Sequence, residues 1–359
     1  MKIFLSLVCI SFTLLSVAQQ NALITINETI EKPKNIILLI GDGTGLSQIS
    51  ASQYFNDDPS NFDRFPVVGL IKTSASNSLI TDSAAGATAF ASGVKTYNGA
   101  IGVGADSVEV ATLVEHISKR GYATGVIATS SIVHATPACF YAHSLSRRHY
   151  EDIAVDLVNS DIDFFAGGGL KFFHDRSDGK DLLNELRLKG FRVETSILES
   201  VTHPKQAFLL ANDAMPTIED GRGNFLVDAT NFGLQQLTRE DDGFFLMVEG
   251  SQIDWGGHAN NSSYLISELI DFDKAIGAAL DFAMADGETL VIVTADHETG
   301  GFTLSSKDGD YDKIEGTFST GGHSGTMVPV FSYGPGSEQF GGIYENTEIY
   351  HKMMNLLAK

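Results

Sequence analysis

The sequence predicts an α/β fold, a three-layer α/β/α sandwich around a mostly parallel central sheet. Three observations predict it. Short, continuous apolar runs recur along the chain at the length of strands buried on both faces. Helix-like stretches lie between them, as parallel pairing requires. Nearly every run passes straight into polar, chemistry-bearing residues at its carboxyl end, where open α/β sheets build their sites.

The elements follow in chain order. Lys2 and the apolar stretch Ile3–Val17, with small Ser16 and Ala18 ahead of Gln19, read as an export signal over residues 1–18. Val8 before Cys9 argues against a lipid-anchored cysteine. Residues 19–33 form a short leader, and residues 34–359 are expected to fold as one catalytic domain. Strand Asn35–Ile40 runs into Gly41-Asp42-Gly43-Thr44-Gly45, which lacks the spacing of a dinucleotide fingerprint and the lysine of a P-loop. Ser83 then opens a helix of small residues, Ala84 to Ala89. Val108–Arg120 reads as a helix, and strand Ala123–Thr129 leads to His134 and Thr136. Phe164–Ala166 is the next strand, followed by helices over Leu182–Lys189 and Asn224–Leu237. Strand Phe244–Val248 leads to Glu249 and Asp254. Helix Tyr264–Met284 carries Leu265, Ile266, Leu269, Ile270, Phe272 and Ile276 on one face. Strand Leu290–Thr294 leads to Asp296 and His297, and Val328–Tyr333 is read as a last buried parallel strand. Ser306–Phe318 is a polar loop or hairpin tip, its acidic residues a solvated cluster or a calcium site.

Composition bounds the function. The 359 residues are 43% hydrophobic and 19% charged, a globular rather than a disordered balance. A formal charge of −21 opposes a nucleic-acid partner and denies an anionic substrate a simple electrostatic funnel. Positive charge at a site must then come from metal ions and a local arginine. Beyond residues 1–18 no stretch is long and apolar enough for a membrane span. Of the two cysteines, Cys9 leaves with the signal, and Cys139 reads as a small buried filler.

The residue types point to metal-assisted phosphoryl transfer. A helix N-terminus behind Ser83 favours a phosphate, although the serine alone also reads as a helix cap. Asp254 and His258 are four apart and can share one side of a helical turn. Asp296 and His297 are adjacent, so both can serve one site only if the chain bends there. His323 sits on a glycine-flanked loop. Mixed carboxylate and imidazole ligands suit Zn²⁺. Asp42, Thr136 and Glu249 offer the oxygen set that suits Mg²⁺. The remaining His116, His149, His174, His203 and His351 have no such setting.

The chain resembles a bacterial alkaline phosphatase of the compact, cold-marine type, from about Lys34 to its end. The resemblance is carried by Gly41-Asp42-Gly43, the Thr81–Gly102 segment, Ala135-Thr136-Pro137-Ala138, Ala166-Gly167-Gly168-Gly169, Glu249-Gly250-Ser251-Gln252-Ile253-Asp254, Asp296-His297-Glu298-Thr299-Gly300-Gly301 and Gly321-Gly322-His323. It implies an alkaline-phosphatase-like fold and a broad-specificity phosphomonoesterase working through a phosphoserine on Ser83. It further implies one zinc on Asp254, His258 and His323, and a second on Asp42, Asp296 and His297. Magnesium would lie on Asp42, Thr136 and Glu249, and Arg147 rather than Arg148 would fork onto the phosphate. Two such metals, roughly 4 Å apart, clamp the attacking and leaving oxygens of an in-line displacement. His134 and Trp255 depart from the enteric bacterial pattern of aspartate and lysine, which leaves magnesium or a third zinc open beside His134. The export signal implies a periplasmic or extracellular protein, and the resemblance implies a homodimer, with a monomer left open by the short chain. A sulfatase would need a C/S-x-P-x-R context that Ser83 lacks, and related diesterases use threonine. A binding-only protein would have no need of nucleophile, arginine and ligands together.

Overall fold

The computed structural model describes residues 31–199, 202–239 and 241–357. The expected signal and all of the leader but its last three residues lie outside them.

The strands are β1 (Asn35–Gly41), β2 (Val67–Lys72), β3 (Ala123–Ser131), β4 (Phe164–Gly168), β5 (Phe191–Glu194), β6 (Lys205–Leu209), β7 (Phe244–Gly250), β8 (Thr289–Thr294), β9 (Glu298–Thr299), β10 (Thr303–Lys307), β11 (Asp310–Thr317), β12 (His323–Ser324), β13 (Val328–Tyr333) and β14 (Gly342–Glu345). The helices are α1 (Leu46–Phe55), α2 (Ser83–Ser92), α3 (Leu113–Ser118), α4 (Ala135–Ala138), α5 (Tyr150–Asn159), α6 (Lys171–His174), α7 (Leu182–Leu188), α8 (Phe225–Leu237), α9 (Gln252–His258), α10 (Ser262–Asp286) and α11 (Thr347–Leu357). Ten strands form one sheet in the order β14-β2-β13-β8-β1-β7-β3-β4-β6-β5.

The strands read as unbroken apolar runs because both faces of the sheet are covered. In β1, Ile36, Leu38 and Ile40 enter one core, with Phe90 of α2, Leu113 of α3, Ile153 of α5 and Met353 of α11. Ile37 and Leu39 enter the opposite core, with Leu226 of α8, Ile253 of α9 and Leu269, Phe272 and Ile276 of α10. This is the predicted three-layer sandwich. Helix α10 starts where Asn261 Oδ1 accepts Tyr264 N at 3.2 Å, and it stops at Gly287 with φ of 76°.

Two expectations need correction, and a third, the hairpin at Ser306–Phe318, is narrowed. Strand β13 is not parallel: it pairs antiparallel with both β8 and β2. It follows His323 directly, so the chain enters it from the carboxyl end of the sheet, and a parallel strand would need a crossover there. The helix expected from Val108 begins only at Leu113. Thr112 and Glu115 form a capping box, and Val103 and Glu109 form an antiparallel bridge before it. The Ser306–Phe318 segment is mostly strand. It belongs to the β10–β11 hairpin, turned by Asp308 (φ 52°) and Gly309 (φ 75°), and Asp310 pairs with Lys313 at 2.8 Å.

Strands β2, β5, β6 and β14 and helices α1, α5 and α11 add to the elements read from the sequence. Most of these strands are short or lie towards the sheet edges. Cys139 is fully buried, and burial pushes its thiol up to about 12, so it behaves as packing. Among the described residues no helix is long and apolar enough to cross a membrane.

Arg222 is buried between Glu268 (2.5 Å) and Asp271 (2.8 Å) of α10. Arg222→Ala leaves two buried carboxylates without their cation. It is expected to cost about 3–5 kcal/mol in urea unfolding, and an unchanged midpoint would refute this role.

Candidate active site

Four adjacent strands, β8-β1-β7-β3, carry most of the candidate residues beyond their carboxyl ends, Ser83, Arg147 and His323 coming from elsewhere in the chain. The register sets them level. Thr294, Ile40, Glu249 and Ala128 lie in one row across the sheet. Asp42 and Asp296 each follow two residues beyond that row. The convergence expected from strand ends is therefore a consequence of parallel pairing without slippage.

Asp42 is fully buried, and neither carboxylate oxygen has a hydrogen-bond partner. The next residue turns the chain with φ of 74°. A Cβ on Gly43 would lie 2.8 Å from both Asp254 Cα and Thr299 Oγ1, so only glycine lets these segments approach. Asp296 stands at the bend that adjacency required. Its Oδ1 accepts the N–H of Gly43 (3.2 Å) and of His297 (3.0 Å), leaving Oδ2 without a hydrogen bond. His297 Nε2 then lies 3.3 Å from Asp296 Oδ2, 3.5 Å from Asp42 Oδ1 and 3.4 Å from Ser83 Oγ.

Ser83 is the first residue of α2 and not its cap. The cap is Asp82, whose Oδ1 accepts Ala85 N at 3.0 Å. All ten residues of α2 are buried, and all but Phe90, which reaches into the core, are small. A Cβ on Gly86 would lie 2.9 Å from Asp296 Cβ, so the helix lies directly against that carboxylate. Asp82 also holds Arg147, with Nη1 to Oδ2 at 3.0 Å, and Arg147 N donates to Gly99 O at 2.7 Å. Arg148 is exposed.

Asp254 and His258 lie on α9, one turn apart. His258 Nδ1 donates to Gly321 O and His323 Nδ1 to Thr81 O, each at 2.8 Å. A carbonyl only accepts, so each imidazole leaves its lone pair on Nε2. These two Nε2 atoms face each other at 3.1 Å, at 3.4 and 3.5 Å from Asp254 Oδ1. Three lone-pair atoms brought together in this way match a cation site. Asp254, His258 and His323 form one cluster able to hold a metal ion, and Asp42, Asp254 and His297 form another.

The third oxygen set is deeper. Glu249 Oε2 accepts Ser251 Oγ–H at 2.6 Å, while Glu249 Oε1 and Thr136 Oγ1 are buried without hydrogen-bond partners. His134 precedes Thr136. Its ring lies 5.9 Å from that of Trp255, and its Nε2 lies 3.5 Å from Arg147 Nη2.

The electrostatics carry the same message. Burial, with Asp296, Asp254 and Glu249 close by, pushes Asp42 well above the carboxylate range. Burial raises Glu249 to about 7 and also raises Asp296. Burial, followed by the charge of Arg147, lowers His134 to about 3, and burial beside His323 holds His297 well below its usual value. Orphaned buried oxygens and neutral imidazoles fit divalent cations, with the nitrogen-containing sets suited to zinc and the all-oxygen set to magnesium.

The sequence reading named the ligand candidates and Arg147. It missed Asp82, Ser251, Glu298 and Thr299 as their supports. Asp82 was legible as a cap before a small-residue helix. Ser251 and Thr299 lie two residues from Glu249 and His297 but carry no periodic signal, and Glu298 acts across the fold.

The sequence pattern of the family described as "Alkaline phosphatase" matches residues 33–315. Alkaline phosphatase 3 of Bacillus subtilis is 36% identical, covering 90% of this chain and 89% of its own. The Escherichia coli alkaline phosphatase is 32% identical over 91% and 87%. The alkaline phosphatase of the Antarctic bacterium TAB5 superposes with a TM-score of 0.90 at 57% identity, over 91% of this chain and 98% of that one. A variant of the TAB5 enzyme has been solved with magnesium in a site termed M3.

Ions that bind this cluster stabilise the fold by mass action. At a free Zn²⁺ concentration 100-fold above Kd the gain is about 2.7 kcal/mol per site. Chelator-stripped protein is expected to melt several degrees lower than protein resupplied with Zn²⁺ and Mg²⁺. Equal melting temperatures would show that the cluster does not take up these ions.

Proposed function

The chain belongs to the alkaline phosphatase family, and from that premise we propose that it hydrolyses a broad range of phosphate monoesters through a phosphoserine on Ser83. The observation that carries the reading is Ser83 Oγ, at the start of a buried helix and 3.4 Å from His297 Nε2, within the orphaned carboxylate cluster. In this reading Asp254, His258 and His323 hold one zinc, and Asp42, Asp296 and His297 hold the second. Asp42, Thr136 and Glu249 hold magnesium, with a third zinc the alternative beside His134; the TAB5 variant with magnesium in its M3 site carries aspartate in place of a histidine. Bound at these residues, the metals supply Lewis acidity and lower the pKa of oxygen nucleophiles at neutral to alkaline pH.

The chain's own groups do the positioning. The guanidinium of Arg147, held by Asp82 at 3.0 Å, presents a planar fork to two phosphate oxygens. The first-turn N–H groups of α2 favour the same anion. Ser83 Oγ gives up its proton to solvent and forms a bond to phosphorus as the P–O ester bond breaks, and the ester oxygen leaves as an alcohol, taking up a proton from solvent. Water then displaces Ser83, releasing inorganic phosphate and restoring the hydroxyl. His134 and Trp255 border this site and bear on the third metal and on release of phosphate.

The decisive assay is p-nitrophenyl phosphate hydrolysis as purified, after EDTA, and after restoring Zn²⁺ and Mg²⁺, with Ser83→Ala in parallel. Chelation is expected to abolish turnover and metals to restore it. Ser83→Ala is expected to lose about 10³-fold or more, the scale of a lost nucleophile. Activity indifferent to EDTA, or a variant as fast as the parent, would refute the mechanism.

The same reading includes export, with residues 1–18 removed and 34–359 acting as one catalytic domain. The mass of the protein recovered outside the cytoplasm should correspond to a chain beginning at Gln19. A cell-retained, uncut chain would contradict it.

A further inference from the structure

Thr299 takes no part in the ligand sets above, yet its hydroxyl lies between them. It is fully buried. Its Oγ1 is 2.5 Å from Asp254 Oδ1 and 3.2 Å from His297 Nδ1. A hydroxyl has one proton. The Asp254 carboxylate only accepts, so the Thr299 proton goes to Asp254. The lone pairs of Oγ1 are then what His297 Nδ1 meets, and Nδ1 must carry a hydrogen to bond them. That choice of tautomer puts the imidazole lone pair on Nε2, the atom facing Ser83, Asp42 and Asp296.

We propose that Thr299 is a positioning residue that couples the two zinc sites, through a single hydroxyl that orients Asp254 for one and fixes the tautomer of His297 for the other. The inference rests on the two-zinc reading above. The backbone of Thr299 is fixed independently of this hydroxyl. Its N–H donates to Gly43 O at 3.0 Å, and its carbonyl accepts Gln48 Nε2 at 3.0 Å. Glu298 anchors the same segment by accepting from Gln48 Nε2 (2.7 Å), Phe302 N (3.0 Å) and the Ser324 hydroxyl. His323 pairs with Thr299 across the short β9–β12 ladder. One residue thus touches ligands of both clusters by side chain and a third ligand by backbone pairing. Outer partners of metal ligands commonly govern affinity in this way.

The test separates hydroxyl from methyl. Thr299→Val removes the hydroxyl and keeps the branched shape, whereas Thr299→Ser keeps the hydroxyl and removes the methyl packed near Gly257. Stepwise Zn²⁺ affinities of the stripped proteins are measured by chelator competition, alongside kcat for p-nitrophenyl phosphate. Thr299→Val is expected to bind both zinc equivalents about 10- to 100-fold more weakly, and Thr299→Ser to stay close to the parent. If Thr299→Val matches the parent, or Thr299→Ser falls with it, the inference is overturned. A parent that takes up no zinc would sink the two-zinc reading itself, a different result from a parent that binds two and a variant that binds them equally well. Nitrogen-15 NMR of the parent, with histidine labelled in its ring, does not depend on a variant folding. It should find His297 protonated at Nδ1, and a lone pair there would overturn the inference.

Discussion

Asp42, Asp254, Asp296 and Glu249 are all buried within one region at the carboxyl edge of the sheet. Like charges crowded out of water repel one another, and each also loses its hydration. The chain supplies little to offset this from within. Arg147 is the cation that lowers Asp42, and it is already paired with Asp82. The rest of the structure follows from accommodating such a cluster. A ten-stranded sheet with both faces covered gives the carboxylates a rigid base. Backbone N–H groups of Gly43 and His297 occupy one oxygen of Asp296 and leave the other free.

The arginine and the serine are organised by the same acidic residue. Asp82 caps the helix that Ser83 opens, accepts the N–H of Gly99 at 3.1 Å and pairs with Arg147. The helix start at Ser83 and the guanidinium of Arg147 are therefore tied to one carboxylate. Displacing it would loosen the helix start and the guanidinium together. The net charge of −21 makes this local arrangement matter more, because the surface as a whole repels anions.

The imidazoles show how hydrogen bonds choose chemistry. His258 and His323 give their Nδ1 protons to carbonyls of Gly321 and Thr81, and His297 meets a threonine hydroxyl. In each case the partner of one nitrogen decides what the other can do. The two carbonyls lie 63 and 242 positions from the imidazoles they hold, which is why they are invisible to local pattern.

The sequence by itself determined the fold class, because buried strands need unbroken apolar runs and their carboxyl ends must carry any site. It also singled out Asp42, Asp254, His258, Asp296, His297 and His323 as a constellation, since few soluble chains place so many ligating groups just past their strands. Only the tertiary structure decided how they are held. The reversal of β13 depends on where the chain re-enters the sheet, not on its own residues. Asp82 reaches beyond the helix it caps to pair with Arg147, 65 residues further on. The bond between Thr299 and Asp254 joins residues 45 apart, and no periodicity encodes a contact made where β9 meets α9 over a glycine that leaves room for them.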